Sequence, residues 1–212
     1  MRVNGNTRFY GGVTIVPVIL MSKCMAYGFI RIVGGSFRGR KLKVAGLPNV
    51  RPTPDRVRET LFNWLQPVII GAHCLDLFAG SGALGFESLS RGAASVVMVD
   101  QSAQVVDILR QELQELGGGN IEIYKATVPH QLKKPAQPFD IVFVDPPFQE
   151  NMLPMVCRYL EQNSFLADNA YIYLEAKEAV TQDMLPSNWE LLKSKKAGMV
   201  AYHLALRKNE KE

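Results

Sequence analysis

The stretch DLFAGSGALG, residues 76–85, decides the fold, because it joins a short apolar run to a helical pattern through closely spaced glycines. The run before it, HCLDLF, is typical of a buried strand, and LGFESLSRG after it has helical spacing. Glycine lets a backbone turn tightly and approach a ligand closely. The glycines of this G-x-G-x-x-G pattern are Gly80, Gly82 and Gly85. The stretch predicts a strand–turn–helix unit that binds a nucleotide.

A second acidic strand end strengthens this prediction. SVVMVD, residues 95–100, ends at Asp100, 20 residues after Gly80, where a carboxylate suits the two hydroxyls of a ribose. Several nucleotide cofactors satisfy this pattern. At this point a dinucleotide-dependent oxidoreductase and a purely structural glycine turn both remain open.

The rest of the chain alternates apolar runs with helical stretches, which predicts an α/β fold with a mostly parallel sheet. The last two strands are joined by only KAGM, which predicts an antiparallel hairpin and therefore a mixed sheet. Predicted strands are residues 73–78, 95–100, 120–125, 139–145, 170–175, 189–195 and 200–206. Predicted helices are residues 54–65, opened by Pro54 and Asp55, then 84–92, 103–119 and, shorter, 128–134.

The fourth of these strands leaves the sheet through Asp145, Pro146, Pro147 and Phe148. Two successive prolines keep this segment out of helix, so its carbonyls remain free to accept hydrogen bonds. In a doubly wound sheet the first and fourth strands are neighbours, so Asp145 and Gly80 are expected in one crevice.

The expected chemistry is the capture of an exocyclic amine. Asp145 and the Pro146 carbonyl would accept its two hydrogens, and Phe148 would stack on the base. Catalysis would come mainly from positioning and electrostatics. With an ordinary pKa of about 3.9, Asp145 is not expected to remove a proton first.

Positive charge is concentrated near the N-terminus. The segment 29–45 is predicted to form a basic β-hairpin, and Asp55 is the sole acidic residue between positions 23 and 58. This charge predicts a polyanionic partner, although a solvated charged face and surface ion pairs of Arg58 and Glu59 are the alternatives. The residues predicted to bind RNA are Arg31, Arg38, Arg40, Lys41, Lys43, Arg56 and Arg58.

Composition sets the broad limits. The 212 residues are 47% hydrophobic and 21% charged with a net charge of +4, as expected for a folded globular protein. Three cysteines without a C-x-x-C pair and three scattered histidines predict a reducing compartment and no metal site. Residues 13–21, VTIVPVILM, imitate a secretory signal, but Pro17 interrupts them, so a cytoplasmic location is expected. The predicted organisation is a leader at 1–28, the hairpin at 29–50, one catalytic domain at 51–207 and a frayed tail at 208–212.

Four motifs in this order, RIVGGSFRGRKL, RPTPDRVRETLFNWL, LDLFAGSGALGFESLSRG and FVDPPF, resemble the RsmD family of bacterial methyltransferases. The resemblance covers roughly residues 29 to 207. That family acts on a guanine N2 in 16S ribosomal RNA and uses S-adenosylmethionine. The resemblance implies a Rossmann-like class I methyltransferase with a seven-stranded mixed sheet, ordered 3-2-1-4-5-7-6, and a basic N-terminal hairpin. It also implies a monomer that acts on assembled or partly assembled 30S subunits.

The resemblance assigns roles residue by residue. Asp145, Pro146 and Phe148 are implied to be catalytic, and Asp76 is implied to serve the methionine ammonium. One departure concerns Thr127 and Val128, where relatives often carry Asp-Ala or Asn-Ala. The implied cofactor contacts are Arg51, Thr53, Asp76, Phe78, Gly80, Gly82, Asp100, Gln101, Thr127, Val128 and Asp145.

Three other functions remain open on the sequence. A DNA or RNA adenine-N6 methyltransferase would use the same DPPF site, but the DNA enzymes usually need a separate recognition domain. A protein-glutamine methyltransferase would have no polyanionic partner for the basic N-terminal hairpin. An RNA-binding module without activity would not need Asp145 or an intact glycine loop.

Overall fold

The computed structural model describes residues 28–44, 53–147 and 152–209 and places their strands in two sheets. The smaller sheet is an antiparallel hairpin of β1 (Gly28–Arg31) and β2 (Lys41–Val44), called here the N-terminal hairpin. The larger sheet has seven strands: β3 (His73–Asp76), β4 (Ser95–Asp100), β5 (Ile121–Lys125), β6 (Phe139–Val144), β7 (Leu166–Ala176), β8 (Trp189–Ala197) and β9 (Val200–Arg207). The helices are α1 (Asp55–Leu65), α2 (Ala83–Ser90), α3 (Ala103–Glu115) and α4 (Met152–Gln162), with a 3-10 turn at Gln182–Met184.

The seven strands are ordered β5-β4-β3-β6-β7-β9-β8. Counted within this sheet alone, the order is 3-2-1-4-5-7-6, which confirms the predicted topology. Strands β3 to β7 are parallel, whereas β9 runs antiparallel to both β7 and β8. We call the edge where β3 to β7 end the carboxyl edge of the sheet. In folds of this type ligands bind outside that edge, where the chain order reverses.

Apolar side chains fill both faces of the sheet, because successive residues of a strand point to opposite sides. On β3, Cys74 joins the core under α1, α2 and α3, whereas Leu75 joins the core under α4. Helix α1 contributes Leu61 and Phe62 to the first core, at the helical spacing that the sequence shows. The sheet is therefore covered on both sides, as the near-continuous apolar strands predict.

One predicted helix was wrong, and one observed helix was not predicted. Residues 128–134 contain a turn rather than a short helix. The Lys133 amide donates to the Tyr124 hydroxyl at 3.3 Å, which holds the segment against β5. Helix α4 was not predicted at all. Its buried residues Leu153, Val156 and Leu160 nevertheless recur at helical spacing.

The N-terminal hairpin is attached to α2 by hydrogen bonds through its connecting loop. The Val33 amide donates to Glu87 Oε2 at 2.8 Å, and the Phe37 amide donates to Ser90 Oγ at 2.9 Å. Gly35 lies at φ +76°, where a Cβ atom would stand 1.8 Å from the Ser90 carbonyl oxygen. Only glycine fits there, so the GG pair of the sequence lets the loop lie against the helix.

Most of the predicted leader, together with residues 45–52 of the hairpin-to-helix connection, lies outside the described residues. In the tail, the Lys208 amide donates to the Asn188 carbonyl at 2.7 Å, and Asn209 donates to Asp168 at 3.1 Å. Both residues were expected to fray, and both are hydrogen-bonded.

Candidate active site

The glycine loop lies between β3 and α2 and is tied to the strands on either side. The Leu77 amide donates to the Phe143 carbonyl of β6 at 3.2 Å, and the Ala79 amide donates to the Val99 carbonyl of β4 at 2.9 Å. Gly80 and Gly82 have φ angles of +49° and +74°, a region that side chains disfavour. The loop is therefore fixed at the carboxyl edge, with Gly80 half-buried and Gly82 buried.

Asp100, at the end of β4, organises this loop. Its Oδ2 accepts from the Gly80 amide at 3.0 Å, and its Oδ1 accepts from the Ser102 amide at 2.8 Å. The carboxylate thus joins the glycine loop to the start of α3. An ionised carboxylate has about four acceptor positions, so capacity remains for two ribose hydroxyls.

Asp76, at the end of β3, lies beneath the glycine loop and is buried. Its Oδ2 accepts from the Gly85 amide at 3.2 Å. Burial raises the pKa of the Asp76 carboxyl to about 7 and the Asp100 carboxylate adds to the rise, although the Gly85 hydrogen bond opposes it. A buried acid without a cationic partner is a suitable receptor for an ammonium group.

Asp145 leaves the carboxyl edge directly after β6, one strand from Asp76. Since Val144 pairs with Leu174, the next position along brings Asp145 beside Glu175 of β7. Glu175 is buried and its Oε2 accepts from the Tyr173 hydroxyl at 2.8 Å. Three acidic residues, Asp76, Asp145 and Glu175, therefore end three adjacent strands, and we call them the acidic cluster.

This arrangement changes the proton affinity of Asp145. Burial raises the pKa of Asp145 well above its usual range, and the charges of Glu175 and then Asp76 raise it further. Burial also raises the pKa of Glu175, which the Tyr173 hydrogen bond partly offsets. The assumption of an ordinary pKa for Asp145 was therefore wrong. The carboxylate is a better proton acceptor than its sequence context indicated.

The remaining predicted catalytic and cofactor residues are distributed as follows. Pro146 is buried and Pro147 is exposed, whereas Phe148 and Arg51 lie outside the described residues. Thr53 is buried directly before α1. Phe78 is half-buried in the glycine loop, and Gln101 is exposed directly after β4.

The unusual Thr127–Val128 pair follows β5 near the same edge. The Thr127 amide donates to Gln131 Oε1 at 3.0 Å, and its carbonyl accepts from the Gln131 amide at 3.0 Å. Val128 is buried beside Tyr124 in the second core. The Thr127 hydroxyl is thus a more available group for an adenine than its backbone amide.

Arg58 was predicted to bind RNA, and the structure contradicts that role. Its side chain is fully buried and donates to the Arg31 carbonyl at 2.8 Å. It also pairs with Asp55, and its Nη1 lies 3.6 Å from the buried carboxylate of Glu87. Arg58 therefore joins α1 to the N-terminal hairpin and α2, and it cannot reach a phosphate without leaving the core.

The other predicted RNA-binding residues are on the surface. Arg40 donates to the Glu115 carbonyl at 2.9 Å, and Lys43 lies between Glu112 and Glu115, so these two also attach the hairpin to α3. An open groove of about 550 Å³ separates the hairpin from the start of α1, and Arg31, Lys41 and Thr53 line it. The residues that line this groove do not include the acidic cluster. The exposed members of the predicted set are Arg31, Arg38, Arg40, Lys41 and Arg56.

Sequence reasoning missed Glu175 and Tyr173. The signal was present, because AYIYLE also ends an expected strand in a carboxylate, and the predicted order 1-4-5 places that strand beside Asp145. Among residues 28–44, 53–147 and 152–209, no group of three or more His, Cys, Asp or Glu side chains is arranged to hold a metal ion. Within those same ranges no helix is long and apolar enough to cross a membrane.

Comparison with known proteins decides the family. A family profile described as conserved hypothetical protein 95 matches residues 30–206. Ribosomal RNA small subunit methyltransferase D of Escherichia coli K12 is 48% identical over 185 residues, which cover 87% of this chain and 93% of that protein. The chain belongs to the RsmD family of methyltransferases. The resemblance drawn from the four motifs is thereby confirmed.

Solved structures agree with this family. That of yhhF from Escherichia coli superposes with a TM-score of 0.78 at 48% identity, covering 86% of this chain and all of that one. A 16S rRNA N2 G1207 methyltransferase of Thermus thermophilus, in complex with AdoMet and guanosine, gives a TM-score of 0.64 at 20% identity, covering 86% of this chain and 50% of that one. The similarity to the Thermus thermophilus enzyme shows a shared fold only. The predicted class I methyltransferase fold is confirmed.

The residues at the carboxyl edge fit S-adenosylmethionine, the cofactor of this fold class. Half-buried Gly80 has no side chain to obstruct a close approach, and Asp100 offers acceptors to a ribose. Buried Asp76 offers a negative charge to the methionine ammonium. The ribose and the methionine ammonium of the cofactor thus each have a matching group in the chain.

Proposed function

We propose that this protein transfers a methyl group from S-adenosylmethionine to the exocyclic N2 of a guanine in 16S ribosomal RNA. The observation that carries the proposal is the position of Asp145, at the end of the strand next to the one that opens the glycine loop. Substrate amine and cofactor would therefore meet in one crevice. The names of the 48%-identical relatives favour small-subunit RNA as the substrate.

The chain's own groups would position the amine. Asp145 and the Pro146 carbonyl accept its two hydrogens, which directs the nitrogen lone pair away from the ring and toward the glycine loop. Phe148 stacks on the base. When bound, S-adenosylmethionine would supply a methyl group from its positively charged sulfur, and Asp76 would hold its methionine ammonium and Asp100 its ribose.

The raised pKa of Asp145 suits the proton that the amine must lose. Once nitrogen has gained a methyl group it carries a positive charge and a surplus proton. Asp145 is within hydrogen-bond reach of that proton in the proposed pose, and its raised pKa improves it as an acceptor. The proton then passes from Asp145 to solvent, because part of the Asp145 surface remains accessible to water.

The exposed cations of the N-terminal hairpin would bind RNA phosphates. Such contacts add affinity but carry no sequence information, so selection of the guanine must come from the shape of the RNA and from the pocket. A paired guanine hides its N2 in the minor groove and must be unpaired or flipped before Asp145 can hold it. We therefore propose that a monomer acts in the cytoplasm, without a metal ion, on assembled or partly assembled 30S particles.

The test is methyl transfer in vitro. Purified protein is incubated with labelled S-adenosylmethionine and either 30S particles, protein-free 16S RNA or DNA, and the nucleic acid is digested to nucleosides. We expect N2-methylguanosine, with more label in particles than in protein-free RNA. N6-methyladenosine as the product would instead favour an adenine methyltransferase with the same site, and label only in DNA or protein would contradict the substrate.

A further inference from the structure

The C-terminal hairpin, formed by β8 and β9, brings a second group of lysines to the carboxyl edge of the sheet. Strand β9 runs antiparallel to β7, so its first residues lie beside the end of β7, with Ala176 opposite Ala201. Strand β8 is antiparallel to β9, so its last residues, Lys195 and Lys196, lie beside those first residues. The turn of this hairpin thus projects from the same edge as Asp145.

The register connects Lys195 to the acidic cluster through one row of residues. Asp145 follows the pair Val144–Leu174 and so neighbours Glu175, Glu175 pairs with Tyr202, and Tyr202 pairs with Lys195. Residues opposite each other on neighbouring strands share a face of the sheet. Three strand spacings of about 4.8 Å separate β6 from β8, so Lys195 is roughly 14 Å from Asp145 along this row.

The hairpin tip is basic, exposed and held on a rigid base. Residues 191–200 contain three lysines and no acidic residue. Lys193, Lys195 and Lys196 are all exposed, and no ion pair within the described ranges involves them. Trp64 of α1 stacks on Tyr202 with ring centroids 5.6 Å apart, and Lys195 Nζ lies 5.8 Å from the Trp64 ring centroid.

We infer that the tip of the C-terminal hairpin, with Lys195 and Lys196 at its centre, is a second RNA-binding surface that holds the strand flanking the target nucleotide. This inference rests on the proposed function. An RNA is favoured because the surface carries only positive charge and because Lys195 lies on the row of residues that contains Asp145. Lys196, the next residue of β8, extends the charge of the tip to the other face of the sheet. It contacts RNA on the β8 side of the crevice, separately from the N-terminal hairpin, which is attached to α2 and α3.

Lysines on an edge strand have another common role. β8 is the outer strand of the sheet, and lysine there discourages pairing with another chain's edge. If the lysines have only that role, removing their two charges should weaken RNA binding no more than removing any other two surface lysines. A matched control therefore separates the two roles.

The chain offers such a control in Lys133 and Lys134, beside the opposite edge strand β5. They too are adjacent and at the surface, and Lys133 Nζ lies 4.3 Å from the Tyr124 ring centroid as Lys195 lies over Trp64. Lys133 differs in that it also pairs with the exposed Glu122 at 2.6 Å. The double variants Lys195→Gln/Lys196→Gln and Lys133→Gln/Lys134→Gln remove the same charge. Melting temperatures of both are measured first, to establish that each is folded.

The experiment measures binding to protein-free 16S RNA and to 30S particles over a range of salt, without turnover. For the hairpin variant we expect the dissociation constant to rise about 5- to 20-fold on both ligands. Its slope of log affinity against log salt should be shallower by about 1.5, because each phosphate that is no longer neutralised reduces the slope by roughly 0.7–0.9. The control variant should remain within twofold of wild type, and in turnover the hairpin variant's defect should fall on KM for RNA.

Equal behaviour of the two variants would overturn the inference. So would weaker binding of the hairpin variant to particles but not to protein-free RNA, because the surface would then contact a ribosomal protein. Binding is measured without turnover. If the wild type does not methylate guanine, only the proposed reaction is contradicted, and the binding data still test the RNA-binding surface.

Discussion

Asp145 is the residue on which the proposed chemistry depends. Replacing it with Ala removes both the acceptor for the amine and the proton acceptor, so methyl transfer should fall at least about 10³-fold. Asn keeps one acceptor oxygen and should retain partial activity. Cofactor affinity, measured by calorimetry, should change only a few-fold in either variant. An Asp145→Ala protein with near-normal turnover would contradict the proposed capture of the amine.

Glu175 should set the pH dependence of the reaction through Asp145. The charged form of Asp145 is the active one, and the negative charge of Glu175 helps to raise its pKa, so activity should fall as pH decreases through that raised value. Glu175→Gln removes this repulsion and should move the acid limb of kcat to lower pH. Burial is the larger cause of the raised pKa, so the limb should not reach the value of a free carboxyl.

A purely structural role for Glu175 would change activity without moving the limb. Tyr173→Phe provides the comparison, because it removes the hydrogen bond that opposes the rise in the pKa of Glu175 but keeps the carboxyl itself. A pH profile that coincides with wild type in Glu175→Gln would show that Glu175 does not act on Asp145.

The buried Asp76 should make the stability of the folded protein depend on pH. Its folded-state pKa of about 7 exceeds the ordinary value of 3.8, so the folded protein binds more protons than the unfolded chain between these values. The free energy of unfolding should therefore decrease as pH rises from about 4 to about 7. Asp76→Asn should stabilise the cofactor-free protein at pH 8 by about 1–4 kcal/mol and change little at pH 4.

The same substitution should weaken the binding of S-adenosylmethionine, because the methionine ammonium then lacks its charged partner. Thermal melts at the two pH values, with and without cofactor, measure both effects. A stability difference that is the same at pH 4 and pH 8 would show that Asp76 is not the titrating group.

At the scale of elements, α1 has one arginine that stabilises the fold and another that is exposed and available for RNA. Arg58→Ala leaves the buried Glu87 with one partner fewer and the Arg31 carbonyl without its donor, and should lower the free energy of unfolding by about 3–5 kcal/mol. Arg56 is exposed two positions earlier. Arg56→Ala should leave the melting temperature unchanged and weaken RNA binding two- to fivefold.

Denaturant melts and RNA titrations of this pair distinguish the two roles. If Arg58→Ala melts like wild type but binds RNA more weakly, Arg58 would contact RNA as the sequence predicted, and its stabilising role in the core would be contradicted.

How far the sequence predicted these elements depended on periodicity. The strands followed from apolar runs and the glycine loop, since a parallel sheet with both faces covered leaves a strong signal. Their full order was implied by the family resemblance. The role of Arg58 was missed, although Arg58 precedes Leu61, Phe62 and Leu65 by the spacing of the apolar face of a helix, because its charge was assigned to the surface. Its partner Glu87 is 29 positions away and belongs to α2, so only the tertiary structure brings the two together.

The proton affinity of Asp145 was unpredictable for the same reason. The position of the carboxylate at a strand end was visible in the sequence. Its neighbours Glu175 and Asp76 come from other strands, and their effect depends on burial that no local pattern encodes. The site's residues were thus more predictable than their electrostatics.

On the scale of the whole molecule, one sheet edge unites the parts of the proposed enzyme. The glycine loop, the acidic cluster and the tip of the C-terminal hairpin all lie at the carboxyl edge, and the N-terminal hairpin is attached to α2 and α3. Cofactor, amine and RNA backbone would therefore be held by one rigid frame.

The most direct test of the proposed reaction is nucleoside mass spectrometry of 16S ribosomal RNA from a strain that lacks this protein. We expect N2-methylguanosine to decrease by one residue per 16S molecule. The wild-type chain should restore that residue, and the Asp145→Ala chain should not. An unchanged N2-methylguanosine content in the deletion strain, or restoration by Asp145→Ala, would contradict the proposed reaction.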